Sequence, residues 1–322
     1  MTQPSISTAV VGAGAVGSYF GAMLARAGHP VTLIGRAAHV QAIQRDGLQL
    51  HKAGAVESVR LAASTELAAV RGAALVLFCV KSPDTEAVAR ELAPLLEPGA
   101  LVLSLQNGVD NAATIQRQLG AGSAPGPAVV PAVVYVATAM PGPGVVQHFG
   151  RGDLVIGPID AAAGADAVLG RRLQAVVDLF ASAEVPVRIS PDVSGELWSK
   201  LMVNCAYNAI SALVQLPYGR MAALDAIREV QRAIVYEVVA VAQAEGQVLP
   251  MQAALQAMER IASAMPEQLS STAQDLARGK PTEIDHLNGY VARRGAALGV
   301  ATPVNQTLHA LVKLAETARA AR

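Results

Sequence analysis

The first half of the chain alternates short apolar runs with longer stretches of helical periodicity. Residues 6–11, 31–34, 74–80, 100–103, 128–136 and 185–189 read as strands, short and rich in valine, leucine and isoleucine. Residues 15–27 and 84–96 read as helices between them. Strands alternating with helices predict βαβ units and a parallel sheet. Pro141-Gly142-Pro143-Gly144 reads as a turn between two extended runs. From about Asp192 only helical periodicity remains, over residues 197–216, 220–243, 251–264 and 304–318. Gly246, Pro250, Pro266, Gly279-Lys280-Pro281 and Pro303 punctuate these helices. The fold expected is an α/β Rossmann-like N-terminal domain, residues 1–190, followed by an all-α C-terminal domain, residues 191–322.

Composition narrows the function classes. Hydrophobic residues make up 52% of the 322 and charged ones 16%, enough apolar material for packed cores. Basic and acidic residues both number 25, so the formal charge is zero. No net field attracts nucleic acid or an anionic bilayer, although a local basic pocket is compatible with that balance. Cys79 and Cys205 lie far apart in apolar surroundings and read as buried thiols, not a disulfide framework. The six histidines are scattered without metal-ligand spacing, so no metal is expected. No apolar run reaches the roughly 18 residues of a membrane helix. The valine-rich stretch 129–140 is interrupted by Pro131 and reads as a buried strand. The N-terminus lacks a basic start and a cleavage site, and a soluble, cytoplasmic protein is expected.

Gly12-Ala13-Gly14-Ala15-Val16-Gly17 matches the pattern GxGxxG, with an apolar strand before it, a helix after it and a second strand from Val31. Gly12 allows the tight turn, Gly14 lets backbone approach a pyrophosphate, and Gly17 lets helix pack on strand. The helix N-terminus offers N–H groups and a positive dipole end to phosphates. The second strand ends Leu33-Ile34-Gly35-Arg36, with no acid to bind a ribose 2′-hydroxyl. An arginine there pairs with a 2′-phosphate, which points to NADP. Lys81 and Asn107 also follow strand ends, where ligands sit in such sheets. Each fits a cofactor contact, and each equally fits an ordinary surface lysine or Asn-Gly turn.

The helix after the boundary carries a polar stripe. Nearly everything from Leu201 to Leu216 is apolar except Asn204, Asn208, Ser211 and Gln215. With Lys200, these fall within an arc of roughly 80° at about 100° per residue. A lysine can protonate a developing alkoxide when its surroundings tune it, and asparagine both donates and accepts. The set therefore suits carbonyl reduction; it also suits a structural hydrogen-bond network. Near the end, Ser271 with Gln274 and Thr282 with Asp285 fit capping boxes, and Glu283 fits a first-turn acid.

These segments together resemble the ketopantoate reductase (2-dehydropantoate 2-reductase) family. The matching pieces are Gly12–Gly17, Val80-Lys81, Gln106-Asn107-Gly108, Trp198-Ser199-Lys200-Leu201-Met202-Val203-Asn204-Cys205-Ala206-Tyr207-Asn208, Ser270-Ser271-Thr272-Ala273-Gln274-Asp275 and Thr282-Glu283-Ile284-Asp285. They come in the family's order and span nearly the whole chain. The resemblance implies NADPH-dependent reduction of 2-dehydropantoate to (R)-pantoate in pantothenate biosynthesis. It implies Lys200 as catalytic acid, Glu283 as a second active-site residue, and Asn204, Asn208 and Ser271 as substrate contacts. It implies NADP(H) binding by Gly12, Ala13, Gly14, Ala15, Val16, Gly17, Arg36, Lys81 and Asn107, with Ala137 lining the nicotinamide.

The sequence departs from the family's pattern at three places. Tyr218 stands where family enzymes can carry a substrate-binding asparagine, Gln268 replaces another asparagine, and Thr272-Ala273 replace a bulkier pair. An NADP-linked reductase of a different 2-oxo acid is therefore the first alternative. A non-catalytic NADP-binding sensor would lack an acid at position 200, and Lys200 is present. β-Hydroxyacid dehydrogenases also place lysine and asparagine one turn apart, but their Gly-Gly substrate loop is not found. A small-molecule 2-oxo acid is the expected partner; a homodimer stays open.

Overall fold

The computed structural model describes residues 6–120, 126–159 and 166–320, with side chains as far as residue 318. The chain divides into two compact units, Met1–Val193 and Ser194–Arg322.

The strands of the first unit are β1 (Thr8–Val11), β2 (Val31–Ile34), β3 (Leu48–Lys52), β4 (Ala55–Val59), β5 (Ala62–Ser64), β6 (Leu75–Phe78), β7 (Leu101–Ser104), β8 (Ala128–Gly142), β9 (Val145–Ile156) and β10 (Val187–Ile189). Its helices are α1 (Ala15–Arg26), α2 (Ala37–Asp46), α3 (Thr85–Leu92), α4 (Asn111–Leu119) and α5 (Ala167–Ser182). All ten strands form one sheet in the order β4-β3-β9-β8-β7-β6-β1-β2-β5, with β10 added on β9. From β5 through β1 to the start of β8 every pairing is parallel. That is the strand order of a doubly wound dinucleotide-binding sheet. Every residue of β1, β6 and β7 is buried, so these strands read as unbroken apolar runs.

Beyond β7 the sheet turns mixed. β8 pairs parallel with β7 only as far as Pro131, then antiparallel with β9 from Ala132. Pro131 has no N–H to give a ladder, and it stands where the strand changes partner. β9 continues to β3 in parallel, and β3 to β4 antiparallel. The curled sheet packs around α1, whose residues Gly17 to Leu24 are all buried. One core surrounds α1 and α5; the other lies under α3 and α4 on the opposite face.

The second unit is mostly helical. α6 (Val193–Val214) leads into α7 (Tyr218–Ala222), α8 (Asp225–Ala244), α9 (Met251–Ala264), α10 (Ser271–Ala277), α11 (Asn288–Leu298) and α12 (Pro303–Ala320). The helix expected over 220–243 is two, because the chain leaves the helix at Ala223 and is extended at Leu224 before α8 begins. Likewise 84–96 holds α3 and then a 3₁₀ turn, Ala93–Leu95, where Pro94 removes a helical N–H. Elements α2, β3, β4, β5, α4 and α5 have no counterpart in the sequence reading. Among the described residues no helix is long and apolar enough to cross a membrane.

Candidate functional site

The glycine loop crosses the end of β2, where the N–H groups of Gly12 and Ala13 both donate to Ile34 O, at 3.0 and 2.9 Å. Gly12 has φ +97°, and a Cβ on it would lie 2.6 Å from Val80 N. A Cβ on Gly17 would lie 2.5 Å from Gly12 O and 2.8 Å from Val10 Cγ1. Both glycines are thus required by packing. Gly14 differs: a Cβ there meets nothing within 4 Å. Gly14 is also the N-cap of α1, and no side chain caps that helix. The first-turn N–H groups of Ala15, Val16 and Gly17 therefore face an open approach, which fits a pyrophosphate.

The other expected cofactor contacts sit at the same end of the parallel strands. Arg36 is exposed at the N-cap of α2, immediately after β2. Lys81 is exposed at the start of the 3₁₀ turn Ser82–Asp84, after β6, and Asn107 is half-buried after β7. Ala137 is half-buried in β8 opposite Gly150, beside an irregularity in the β8–β9 ladder. His39 is buried between these segments; its Nδ1 accepts from Gly144 N–H at 2.8 Å and its Nε2 lies 3.1 Å from Ser18 Oγ. Burial holds His39 below the ordinary imidazole value.

Sequence reasoning missed a buried polar cluster behind these loops. Gln106 Nε2 donates to Val80 O at 3.0 Å and to Thr85 Oγ1 at 2.7 Å. Thr85 Oγ1 donates to Asn111 Oδ1 at 2.9 Å, and Asn111 Nδ2 donates to Ser82 Oγ at 3.1 Å and Asn107 O at 2.7 Å. Gln106 sat in a quoted motif, but nothing in the spacing joins it to Thr85 or Asn111.

In the second unit the polar stripe of α6 divides along its length. Lys200 and Asn204 are half-buried, whereas Asn208 and Ser211 are buried. Asn208 Oδ1 accepts from Tyr218 Oη at 3.2 Å, and Asn208 O accepts from Ser270 Oγ at 3.2 Å. Ser211 Oγ donates to Leu216 O at 2.9 Å and accepts from Ser270 N–H at 3.3 Å. Gln215 is not on the helix: α6 stops at Val214, and Gln215 has φ +53°. Its amide donates to Ala212 O at 2.7 Å. The lower stripe therefore braces the start of α10; the upper stripe is Lys200 and Asn204.

Both capping-box expectations need correction. Ser270, not Ser271, caps α10, its Oγ accepting from Ala273 N–H at 3.0 Å. Ser271 is consequently the first helical residue and is exposed. Thr282 Oγ1 accepts from Ile284 N–H at 3.3 Å and donates to Glu316 at 2.6 Å. Asp285 turns away to His309 Nε2 at 2.6 Å and Lys313 Nζ at 2.9 Å. Two partners on α12 thus anchor the segment around half-buried Glu283, which opens the 3₁₀ turn Ile284–His286.

Cys205 is fully buried and Cys79 packs against the α1 core; burial pushes both thiols up, as inert residues. Among the described residues no group of acids, histidines and cysteines could hold a metal. A cleft of about 360 Å³ lined by Ser7, His29, Pro30, Arg60 and Arg71 lies at the N-terminal ends of the parallel strands. That is the end opposite the glycine loop, and none of the candidate residues lines it.

A doubly wound sheet, a glycine loop opening an uncapped helix, and a helical unit with lysine and asparagine one turn apart together define a nicotinamide-dependent oxidoreductase. The chain belongs to the ketopantoate reductase family: residues 8–161 match the model described as Ketopantoate reductase PanE/ApbA, and residues 192–316 match its C-terminal counterpart. A 2-dehydropantoate 2-reductase of Halobacterium salinarum is 33% identical over 309 residues, 95% of this chain and 98% of the relative. A crystal structure of a PanE/ApbA family ketopantoate reductase from Ralstonia eutropha has a TM-score of 0.88 at 52% identity, covering 98% of this chain and 99% of that one. A D-mandelate dehydrogenase complex with NADH and anilino(oxo)acetate has a TM-score of 0.87 at 25% identity, covering 98% and 99%. The protein is thus an NADP-dependent oxidoreductase acting on a small molecule.

Proposed function

We propose that this enzyme reduces 2-dehydropantoate to (R)-pantoate, with Lys200 as proton donor. The observation that carries the reading is the upper stripe of α6: Lys200 and Asn204 are one turn apart and half-buried on an otherwise largely buried helix. Residues 1–190 bind the cofactor and residues 191–322 bind and turn over the substrate. Gly12, Ala13, Gly14, Ala15, Val16 and Gly17 cradle the pyrophosphate at the α1 N-terminus. Arg36 takes the 2′-phosphate, Lys81 and Asn107 contact the dinucleotide, and Ala137 lines the nicotinamide. NADPH supplies a hydride to the C2 ketone when bound. The Lys200 ammonium gives its proton to the oxygen on which charge develops, yielding the 2-hydroxyl. Asn204, Asn208 and Ser271 hold the substrate's oxygens, and Glu283 orients it.

Two measurements test this. Lys200→Ala is expected to lower kcat about 10²-fold or more while leaving NADPH affinity unchanged; near-normal turnover removes the proposed acid. A steady-state screen of 2-oxo acids with NADPH is expected to rank 2-dehydropantoate among the best substrates.

One observation favours a second reading, a different 2-oxo acid on the same scaffold. Tyr218 puts a buried ring, 4.7 Å from that of Tyr207, beside the proposed substrate contact Asn208. A bulkier or more apolar 2-oxo acid outranking 2-dehydropantoate in the screen would select this reading.

A further inference from the structure

We propose that Thr85, Gln106 and Asn111 are positioning residues for dinucleotide binding, acting through the loops that carry Lys81 and Asn107. The inference rests on the reading above that those loops contact the cofactor.

The three side chains are buried, with relative exposures of 2%, 6% and 4%. Their bonds run in one direction. Ser104 Oγ donates to Gln106 Oε1 at 3.1 Å. The Gln106 amide then gives one proton to Thr85 Oγ1 and the other to Val80 O. Thr85 has a single proton and gives it to Asn111 Oδ1, which fixes the Asn111 amide. Both Asn111 protons go on to Ser82 Oγ and Asn107 O. Every donor and acceptor atom of both amides is used, so neither can flip without orphaning buried groups.

What the network grips decides its purpose. Its two backbone acceptors, Val80 O and Asn107 O, belong to the loops following β6 and β7. Val80 is also the residue whose N lies 2.6 Å from where a Gly12 Cβ would be, so the glycine loop rests on the gripped backbone. One buried network therefore fixes two loops directly and supports a third, all at the C-terminal ends of neighbouring strands. Apolar side chains could fill the same volume without desolvating two amides and a hydroxyl. A saturated polar network specifies one loop geometry instead. Loops already set in their bound geometry lose less freedom when a ligand binds, so the gain falls on cofactor affinity.

The test is NADPH binding, by titration and by KM, for Thr85→Val. Valine keeps the shape and removes the hydroxyl, leaving a Gln106 proton and Asn111 Oδ1 unpaired. About a tenfold rise in NADPH Kd is expected, with kcat at saturating NADPH little changed. Thr85→Ser keeps the hydroxyl and is expected to restore affinity. Lys81→Ala and Asn107→Ala serve as references for the underlying reading. If they leave Kd unchanged, the loops are not cofactor contacts and the proposal falls with that reading. If they weaken binding while folded Thr85→Val binds normally, positioning alone is overturned. A double variant, Thr85→Val with Lys81→Ala, separates positioning from a general loss of stability. Positioning predicts a combined loss smaller than the product of the single losses; full additivity contradicts it. If Thr85→Val does not fold, Ser104→Ala removes only the bond into Gln106 Oε1. It is expected to give a smaller rise in Kd, and unchanged affinity there overturns the proposal.

Discussion

At the scale of single residues, glycines in one motif have separable duties. A methyl group on Gly17 meets Gly12 O at 2.5 Å and Val10 Cγ1 at 2.8 Å, so backbone must move. Gly17→Ala is expected to cost about 1–3 kcal/mol in urea denaturation, the usual range for overpacking. Gly14→Ala has open space and an ordinary φ of −82°, so its stability should be near that of the wild type. Its methyl group would occupy the pyrophosphate approach, and NADPH affinity should fall instead. Equal effects of the two changes on stability would contradict this division. Arg36 is exposed, so its removal costs the fold little. Arg36→Ala is expected to lower kcat/KM for NADPH by about tenfold or more, the worth of a charge-assisted contact, and to leave NADH nearly unaffected. An unchanged NADPH-to-NADH ratio would take the 2′-phosphate role from Arg36.

At the scale of elements, legibility followed burial. Strands β1, β2, β6 and β7 are covered on both faces, so each is a short apolar run that sequence reading locates to within a few residues. β4 is exposed over Ala55–Ser58 and β5 is three residues long, so neither carries an apolar pattern to find. α1 was legible as a helix although it has no polar face, because the glycine loop marks its start and the sheet curls round it. The stripe on α6 was legible as a polar set, but periodicity could not divide it. Only the partners Tyr218, Ser270 and Ala212 show which bonds its lower half makes within the helical unit. The first capping box was misplaced because Ser270 and Ser271 offer the same hydroxyl at adjacent positions, and the second because Asp285 pairs with α12 instead. The segment with Glu283 is tied to α12 by Thr282–Glu316 and by Asp285 with His309 and Lys313. Glu316→Gln weakens both the ion pair to Lys313 and the bonds from Thr282. With catalysis assigned to Glu283, that variant should lower kcat several-fold while leaving NADPH affinity intact. A loss confined to NADPH affinity would place the effect in the other unit.

At the scale of the whole molecule, each unit carries its own acid-sensitive groups, and they titrate in different ranges. In the first unit, His39 Nδ1 accepts from Gly144 N–H and is therefore unprotonated, and burial lowers its pKa. The unfolded chain then takes up this proton first, from about pH 6.5 downwards. The contribution of neutral His39 is complete above that value and is lost as pH falls towards the folded value. In the second unit, Asp285 and Glu316 are held below their ordinary values: burial alone would raise them, but bonds from His309, Lys313 and Thr282 outweigh it. Their contribution is complete above about pH 4 and is lost as pH falls through the folded values. Stability should therefore decline in two stages on acidification, the first from His39 and the second from the carboxylates. Thermal melts from pH 8 to pH 3.5 test this. The readout is the slope of Tm against pH, because His39→Asn also alters packing and shifts the whole curve. Asparagine does not titrate, so the slope from about pH 6.5 downwards should flatten in that variant, while the later decline from the carboxylates stays. NADPH raises the stability of whichever state binds it, so the melts are compared without cofactor. An unchanged upper slope in His39→Asn would mean that the imidazole between α1, α2 and the β8–β9 turn does not set the first stage.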